Sequence, residues 1–207
     1  MSKKEPKPQA RSAKETLITV LPLGRVEEDV LRVVADGLQG VLRLPVEVRE
    51  GIPLPEEAFM SSRNQYNAMT LIKLLDADHS DTGLKVIGLT AKDITNPILT
   101  YVFGEAYMGG SAAVMSCARL RSGSAGELVN RERFLERVVK VAIHEIGHTF
   151  NIPHCHHGRC VMRVSNGLRE LDDKLNYLCD YCELFLAEAV TAALKETEKD
   201  ARRIETA

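Results

Sequence analysis

The chain of 207 residues has no excess of charge of either sign and no long apolar runs. Its 27 Lys and Arg residues nearly balance 29 Asp and Glu residues, so the net charge of −2 gives no electrostatic case for a nucleic-acid or anionic-membrane partner. No apolar run approaches the roughly 20 residues that cross a bilayer. The polar, Lys- and Pro-rich N-terminus contains no signal-peptide core. We therefore expect a cytoplasmic protein without nucleic-acid or membrane partners.

Size and cysteine content narrow the class of protein further. With 44% hydrophobic and 27% charged residues, the composition is that of a globular protein of one domain, or of one domain with two lobes. The five cysteines are Cys117, Cys155, Cys160, Cys179 and Cys182. Four of them have zinc-ligand spacing, which in a cytoplasmic protein favours metal binding over disulfide bonds. Cys117 follows an apolar run, and we expect it to be a small buried hydrophobic residue.

Residues 144–155 concentrate three imidazoles, a carboxylate and a thiol in one short stretch. His144 and His148 are four residues apart, so on a helix they lie on one face, roughly 40° apart around the axis. Two imidazoles placed in this way can bind one zinc ion. Glu145 points about 100° away from His144, where it can reach a water on that metal rather than the metal itself.

The third imidazole requires a sharp turn after the helix. His154 is six residues after His148, and in a continuous helix it would lie about 9 Å further along and roughly 120° off the shared face. Asn151 readily adopts the left-handed conformation that ends helices, and Pro153 forbids helical continuation. We therefore expect the helix to stop near Asn151 and the chain to bring His154 back to the same metal. Three neutral imidazoles leave a fourth position open for water, as catalytic zinc sites require.

The clustered cysteines predict a second metal site. Cys155-x4-Cys160 and Cys179-x2-Cys182 form two knuckles, and four thiolates close a tetrahedral zinc site with no open position, which makes the site structural. A disulfide-bonded arrangement of the same residues is the alternative. Two further histidines lie inside the first knuckle and are expected to face solvent, although either could compete for the metal: His156 and His157.

The combined pattern resembles a known peptidase family. The motif HExxHxxNxxH, which begins at His144, differs by one residue from the HExxHxxGxxH signature of the metzincin zinc peptidases. The continuation HCxxxxCxM, followed by CxxC at Cys179, closely resembles the archaemetzincin family. The similar region ends at Cys182 and covers less than a fifth of the chain.

The resemblance implies an activity and several residue roles. It implies a zinc-dependent metallopeptidase that hydrolyses peptide bonds, in which Glu145 takes a proton from a zinc-bound water and later returns it to the leaving amine. Met162 is by resemblance the Met-turn, an apolar floor beneath the three imidazoles. The family also implies peptide substrates, with small peptides or an aminopeptidase-like preference. The His and Cys sites together predict two Zn²⁺ per chain, one catalytic and one structural, and we expect a monomer.

Two departures from the family pattern leave an alternative function open. Asn151 stands where the family has Gly, and we expect it to be tolerated because Asn can adopt positive φ. Val164 stands two residues after Met162, where some metzincins have Tyr, so the donor that stabilises the transition-state oxyanion is not identified. Three tyrosines are candidates for that role: Tyr66, Tyr177 and Tyr181. The alternative function is a catalytically weak or inactive zinc-binding scaffold or peptide-binding module.

Hydrophobic periodicity predicts an α/β (α+β) fold with a mixed or mostly parallel sheet. The resemblance makes this fold metzincin-like, with a twisted sheet, a long active-site helix and a zinc-stapled C-terminal helical subdomain. Residues 104–108 are by resemblance the substrate-facing edge strand, with a plain hairpin as the alternative. Apolar runs predict strands at 16–21, 44–48, 84–90, 99–103 and 112–120. Helical spacing predicts helices at 26–42, 69–75, 127–150 and 175–199, with 164–173 irregular.

The expected domain organisation has three parts. Residues 1–14, rich in Lys and Pro, form a disordered tail. Residues 15–151 form an N-terminal α/β subdomain that includes the active-site helix. Residues 152–207 form a small C-terminal subdomain with the Met-turn and the four-cysteine zinc site.

Overall fold

The computed structural model describes residues 17–78, 84–123 and 126–205, and side chains as far as residue 196. The tail predicted for residues 1–14 lies outside these ranges. The strands are β1 (Ile18–Leu23), β2 (Val46–Val48), β3 (Phe59–Met60), β4 (Gln65–Asn67), β5 (Lys85–Thr90), β6 (Ile94–Thr95), β7 (Gly104–Ala106) and β8 (Ala112–Ser116). The helices are α1 (Glu28–Leu42), α2 (Ala68–Asp78), α3 (Arg131–Thr149), α4 (Leu168–Asp173) and α5 (Asp180–Glu205). Within the described ranges, no helix is long and apolar enough to cross a membrane.

A five-stranded sheet in the order β2-β1-β5-β8-β7 organises the chain. Its neighbouring strands run parallel, except that β7 is antiparallel to β8. The predicted mixed sheet is therefore confirmed, and β7 forms one edge of it. A smaller sheet in the order β3-β4-β6 is formed by short strands that lie between β2 and β7 in the sequence.

Both faces of the large sheet are covered by helices. In β1, Ile18 and Val20 point into one apolar cluster, whereas Leu21 and Leu23 point into another. This alternation follows from the two-residue period of side chains in a strand. Because both faces of the strand are buried, its sequence is a continuous apolar run. Helices α1 and α3 supply residues to the first cluster, and α2 supplies residues to the second.

Helix α3 carries the HExxH motif and lies in the larger cluster. It begins at Arg131 rather than at residue 127, because the Asn130 side-chain oxygen accepts a hydrogen bond from the backbone N–H of Arg133 at 2.9 Å and caps the helix. Most of its residues from Phe134 to Thr149 are buried. The helix that bears the metal-ligand candidates is thus fixed along most of its length.

Other predicted segments also differ in the structure, and the strand predicted at 112–120 ends at Ser116. The strand predicted at 99–103 is wrong, because the Asn96 side-chain oxygen accepts hydrogen bonds from the N–H groups of Ile98 (3.0 Å) and Leu99 (2.7 Å) and turns the chain. The segment 164–173, predicted as irregular, contains α4. The last helix begins at Asp180 rather than at residue 175, because the preceding residues hydrogen-bond to the Cys160 loop through their backbone.

Candidate metal centres

The chain turns back at the end of α3 as the sequence predicts. Helix α3 ends at Thr149, and Asn151 has a left-handed φ of 61°. The N–H of Asn151 donates to the His148 carbonyl at 2.9 Å, and the N–H of Ile152 donates to the Gly147 carbonyl at 3.1 Å. These bonds satisfy the last carbonyls of the helix and reverse the chain within three residues. The reversal returns His154 to the face that carries the first two histidines.

Three imidazoles converge at this turn. The Nε2 atoms of His144 and His148 are 3.1 Å apart, and one nitrogen from each of these residues and from His154 lies within 4.8 Å of the others. Two nitrogens that bind zinc at about 2.0–2.1 Å in a tetrahedral site lie about 3.4 Å apart. Burial lowers the pKa of all three imidazoles, which favours the neutral form that binds metal. The three residues therefore fit a zinc ion.

Backbone carbonyls orient the two helical imidazoles. His144 Nδ1 lies 3.0 Å from the Val161 carbonyl oxygen, and His148 Nδ1 lies 2.9 Å from the Ile152 carbonyl oxygen. A carbonyl only accepts, so each Nδ1 carries the proton and each Nε2 keeps its lone pair for a metal. Both carbonyls belong to the segment after the turn, which therefore fixes the tautomers as well as supplying His154.

Glu145 lies beside this cluster and is buried, with 7% of its surface exposed. Burial and the nearby Glu105 carboxylate raise the pKa of Glu145 to about 8. Gly104, the first residue of β7, faces it closely: a methyl group there would lie 2.5 Å from Glu145 Cγ and 2.7 Å from Oε1. Sequence reasoning placed Gly104 in the edge strand but did not predict its contact with Glu145, because only the pairing of β7 with β8 brings this glycine to the helix.

A cleft of about 750 Å³ opens in front of the three imidazoles and Glu145. Its walls are β7, the segment 96–103 that precedes β7, helix α3 and the segment 164–174. Arg63 fixes the wall that precedes β7, since its Nη1 donates to Thr95 Oγ1 at 2.8 Å and to the Leu99 carbonyl at 3.2 Å. Edge strand β7 is thus one side of the cleft.

The candidate tyrosines lie elsewhere. Tyr66 packs on Phe59 with ring centroids 5.2 Å apart, and Tyr181 faces His157 at 6.2 Å. Among the described residues that line the cleft, the tyrosine is Tyr101, and neither Tyr66, Tyr177 nor Tyr181 is present. Sequence reasoning placed residues 99–103 in a strand and so gave no reason to single out Tyr101.

Met162 is fully buried and packs against α3. A methyl group at Gly147 would lie 2.5 Å from Met162 Sδ, so the glycine inside the HExxH motif makes room for this side chain. The Cys155 N–H donates to the Met162 carbonyl at 2.9 Å. Met162 therefore packs where the helix and the segment after the turn meet.

Four cysteines form a second cluster. The Sγ atoms of Cys155 and Cys179 are 3.6 Å apart, and those of Cys160 and Cys182 are 3.8 Å apart. Sulfurs that bind zinc at about 2.3 Å in a tetrahedral site lie about 3.8 Å apart, whereas disulfide sulfurs lie about 2.05 Å apart. All four thiols are free, and one sulfur from each lies within 4.8 Å of the others. The four residues therefore fit a zinc ion.

Backbone N–H groups point at two of these sulfurs. His157 N donates to Cys155 Sγ at 3.3 Å, and Cys179 N donates to Cys160 Sγ at 3.4 Å. Such bonds stabilise thiolate charge. His156 and His157 are exposed and belong to neither cluster. Cys117 is separate from the group and is buried in the core, as predicted, and burial raises the pKa of its thiol to about 12.

Comparisons with known proteins agree on one family. The sequence model of "Peptidase family M54" matches residues 25–188. An archaemetzincin from Haloquadratum walsbyi is 39% identical over 173 residues, which cover 82% of this chain and 99% of that protein.

Solved structures give the same result. The crystal structure of archaemetzincin from Methanopyrus kandleri has a TM-score of 0.75 and 32% identity, and the match covers 88% of this chain and 99% of that one. Archaemetzincin from Archaeoglobus fulgidus, solved in complex with malonate, has a TM-score of 0.70 and 33% identity, and the match covers 82% of this chain and 99% of that one.

Proposed function

Because the chain belongs to the archaemetzincins, peptidase family M54, it is a zinc-dependent metallopeptidase, and we propose which residues perform its reaction. His144, His148 and His154 hold the catalytic zinc, and Glu145 is the general base. The observation that carries this proposal is the convergence of three imidazole nitrogens within 4.8 Å beside a buried carboxylate. A buried helix holds two of these ligands more rigidly than a loop would.

The side chains divide the work of peptide hydrolysis. Zinc, when bound, supplies a Lewis acid for the scissile carbonyl and lowers the pKa of water. Glu145 takes the proton of the attacking water and returns it to the nitrogen of the leaving amine. The carbonyls of Val161 and Ile152 keep two imidazoles in the tautomer that leaves Nε2 free. Met162 packs beneath the imidazoles and supports their positions.

The substrate is a peptide, and we propose that it binds in extended form along β7. This strand is an edge of the large sheet and one wall of the cleft, so its free side can pair with another strand. The small Gly104 lets the strand approach Glu145, which brings a paired peptide bond close to the base. An aminopeptidase-like preference remains a proposal, and N-acetylation of test peptides decides it.

The second zinc is structural in this account. Cys155, Cys160, Cys179 and Cys182 supply four sulfur donors and no open position, so we propose two Zn²⁺ per chain. Zinc bound by these four cysteines would join the loop after His154 to the start of α5. Because structural zinc binds only the folded chain, its binding free energy stabilises the fold.

The remaining predictions follow from composition. We propose a cytoplasmic monomer without nucleic-acid or membrane partners, since free thiols suit a reducing compartment and the net charge is −2. We also propose that subdomains 15–151 and 152–207 meet at the turn after α3. Nothing in the described residues favours the inactive-scaffold alternative, since the three imidazoles and Glu145 share one cleft.

Replacing the base tests the catalytic assignment. Zinc-loaded wild-type protein and Glu145→Gln are assayed on a mixed library of short peptides, with zinc content measured on the same samples. We expect cleavage by the wild type, and a loss of kcat on the order of 10²–10⁴-fold in the variant, because general base catalysis contributes that much. Zinc content should stay unchanged, since Glu145 is not a ligand.

Glu132→Gln is the matched control, because Glu132 is an exposed carboxylate in the first turn of the same helix. It should cleave the library at the wild-type rate. Cleavage by Glu145→Gln at the wild-type rate would overturn the assignment of the base. A two-zinc protein that cleaves no peptide would favour the binding-module alternative.

A further inference from the structure

Lys174 is a buried cation inside the cleft with no role in the mechanism above. Only 3% of its surface is exposed, yet it lines the cleft with His144 and Glu145. Its Nζ donates to the Val161 carbonyl at 3.1 Å. Among the ion pairs of the described residues, none includes Lys174. A buried ammonium without a carboxylate partner is costly, so its presence in a binding cleft points to an anionic ligand.

The Val161 carbonyl places this ammonium next to the reacting centre. The same oxygen accepts from Lys174 Nζ at 3.1 Å and from His144 Nδ1 at 3.0 Å. Two donors on one oxygen keep the ammonium beside a proposed zinc ligand. A substrate group that reaches Lys174 therefore belongs to a residue adjacent to the scissile bond.

Apolar and polar residues line the same cleft as Lys174. Val141 and Leu171 are buried apolar residues that line the cleft and suit the methylene groups of a side chain. Ser165 lines it as well, and its Oγ is buried without a hydrogen-bond partner among the described residues. A buried hydroxyl that lacks a partner is the expected state of a donor that awaits a ligand.

Charge at this end of the cleft favours an anion. Burial lowers the pKa of Lys174 to about 8, with Glu145 acting to raise it and Arg163 acting to lower it. Among the described residues that line the cleft, the carboxylates are Glu145, which is the proposed base, and Glu105, which accepts a hydrogen bond from Asn96 Nδ2 at 3.0 Å.

We propose that Lys174 and Ser165 form a subsite for a substrate carboxylate next to the scissile bond, so that the enzyme prefers peptides carrying an acidic group there. The inference rests on the proposed function in taking this cleft as the peptide-binding site. The carboxylate comes either from an Asp or Glu side chain or from the C-terminus of the peptide. Lys174 donates an ammonium hydrogen bond and Ser165 a hydroxyl hydrogen bond to its oxygens.

Binding measurements distinguish the two sources without relying on hydrolysis. Zinc-loaded Glu145→Gln protein is titrated by calorimetry with blocked peptides that differ only by Glu or Gln at either residue flanking the scissile bond. A second pair ends one residue after that bond and differs only by a free or an amidated C-terminus. Because hydrogen bonds to charged groups are strong, we expect that in one of these pairs the peptide with the carboxylate binds about ten- to a hundredfold more tightly than its neutral counterpart.

In the variant Lys174→Met, the affinities for the acidic and the neutral peptide should differ by no more than about threefold. The matched control is Lys140→Met, since Lys140 is also buried and donates to a carbonyl, that of Asp172 at 3.3 Å, but does not line the cleft. It should keep the full preference. If Lys174→Met does not fold, Ser165→Ala decides: a preference reduced several-fold supports the subsite, and an unchanged preference overturns it.

Two further results would overturn the inference. One is equal binding of the acidic and neutral peptides by the zinc-loaded protein. The other is a preference that survives in folded Lys174→Met, which would place the carboxylate on the zinc itself. The same peptides are also offered to the wild-type enzyme. Cleavage without an acidic preference refutes the subsite alone, whereas a Lys174-dependent binding preference without any cleavage refutes the proposed function alone.

Discussion

At the scale of single residues, Gly104 and Glu145 fit closely against each other. The absence of a side chain on the edge strand lets the strand lie against the carboxylate. The position of a general base relative to its substrate matters, since a displacement of about 1 Å can cost on the order of 10²-fold in rate. Gly104 therefore positions the base although it carries no reactive group.

We predict that Gly104→Ala lowers kcat on the order of 10²-fold and leaves zinc content unchanged. The new methyl group would lie 2.5 Å from Glu145 Cγ, so the side chain must move. Steady-state kinetics and metal analysis check this prediction. The control is Gly40→Ala on α1, where a methyl group meets nothing within 4 Å, and it should keep full activity. Equal kinetics for the two variants would contradict the role of Gly104.

The sequence was sufficient to predict which residues come together where their proximity follows from local spacing. The imidazoles at i and i+4, the left-handed Asn151 and the two cysteine knuckles each depend on a few neighbouring residues, and the structure brings each set together. Gly104, Tyr101 and Lys174 were not singled out, because their contacts join segments that are distant in the chain. A single sequence without structure contains no signal for such contacts.

At the scale of elements, Arg137 joins α3 to α4. Its guanidinium makes a bidentate pair with Asp172 at 2.6 and 2.7 Å and also donates to the carbonyls of Leu120 and Ser122. The arginine side chain is buried, with 3% exposed. Helix α4 lies in the wall that carries Leu171 and precedes Lys174, so this pair holds one side of the cleft against the active-site helix.

We predict that Arg137→Met lowers the free energy of unfolding by about 3 kcal/mol, because it leaves a carboxylate and two carbonyls without their donor. Denaturant unfolding of zinc-loaded protein measures this. Arg133→Met is the control, since Arg133 is exposed on the same helix and its loss should cost less than about 0.5 kcal/mol.

The same pair predicts a pH dependence. Burial acts to raise the pKa of Asp172, but the hydrogen bonds and charge of Arg137 outweigh it and hold that pKa below the ordinary value of 3.8. A lowered pKa stabilises the folded state at all pH values above the unfolded pKa. The stability difference between wild type and Arg137→Met should therefore be constant near neutrality and shrink as the pH falls below about 4. A difference that is independent of pH would contradict the ion-pair account.

Element types were predicted well where periodicity was strong and poorly where side chains capped the backbone. Strand β1 was predicted from a continuous apolar run, and helix α1 was predicted from apolar residues at helical spacing. The segment 99–103 has the apolar residues of a strand, but the Asn96 side chain accepts hydrogen bonds from the N–H groups of Ile98 and Leu99 and turns the chain at its start. Helix α3 begins later than predicted for a similar reason, namely the cap formed by Asn130.

At the scale of the whole molecule, the two metal centres share one connecting segment. His154 and Cys155 are adjacent, so one site continues into the other along the backbone. The backbone of Val161 contacts the surroundings of both metal sites. Its carbonyl accepts a hydrogen bond from His144, and its N–H donates to the carbonyl of Tyr177, in the stretch that leads to Cys179. Loss of the sulfur site should therefore disturb the segment that presents the third imidazole.

The most direct test of this account is the zinc content per chain of the wild type, Cys179→Ser and Cys117→Ala, with thermal unfolding of each sample. We predict two zinc ions in the wild type and in Cys117→Ala, because Cys117 belongs to neither cluster. Cys179→Ser should hold one zinc or less, unfold at a lower temperature and cleave peptides more slowly. A wild type with one zinc would contradict the account, as would Cys179→Ser with unchanged zinc that has lost only a reducible cross-link.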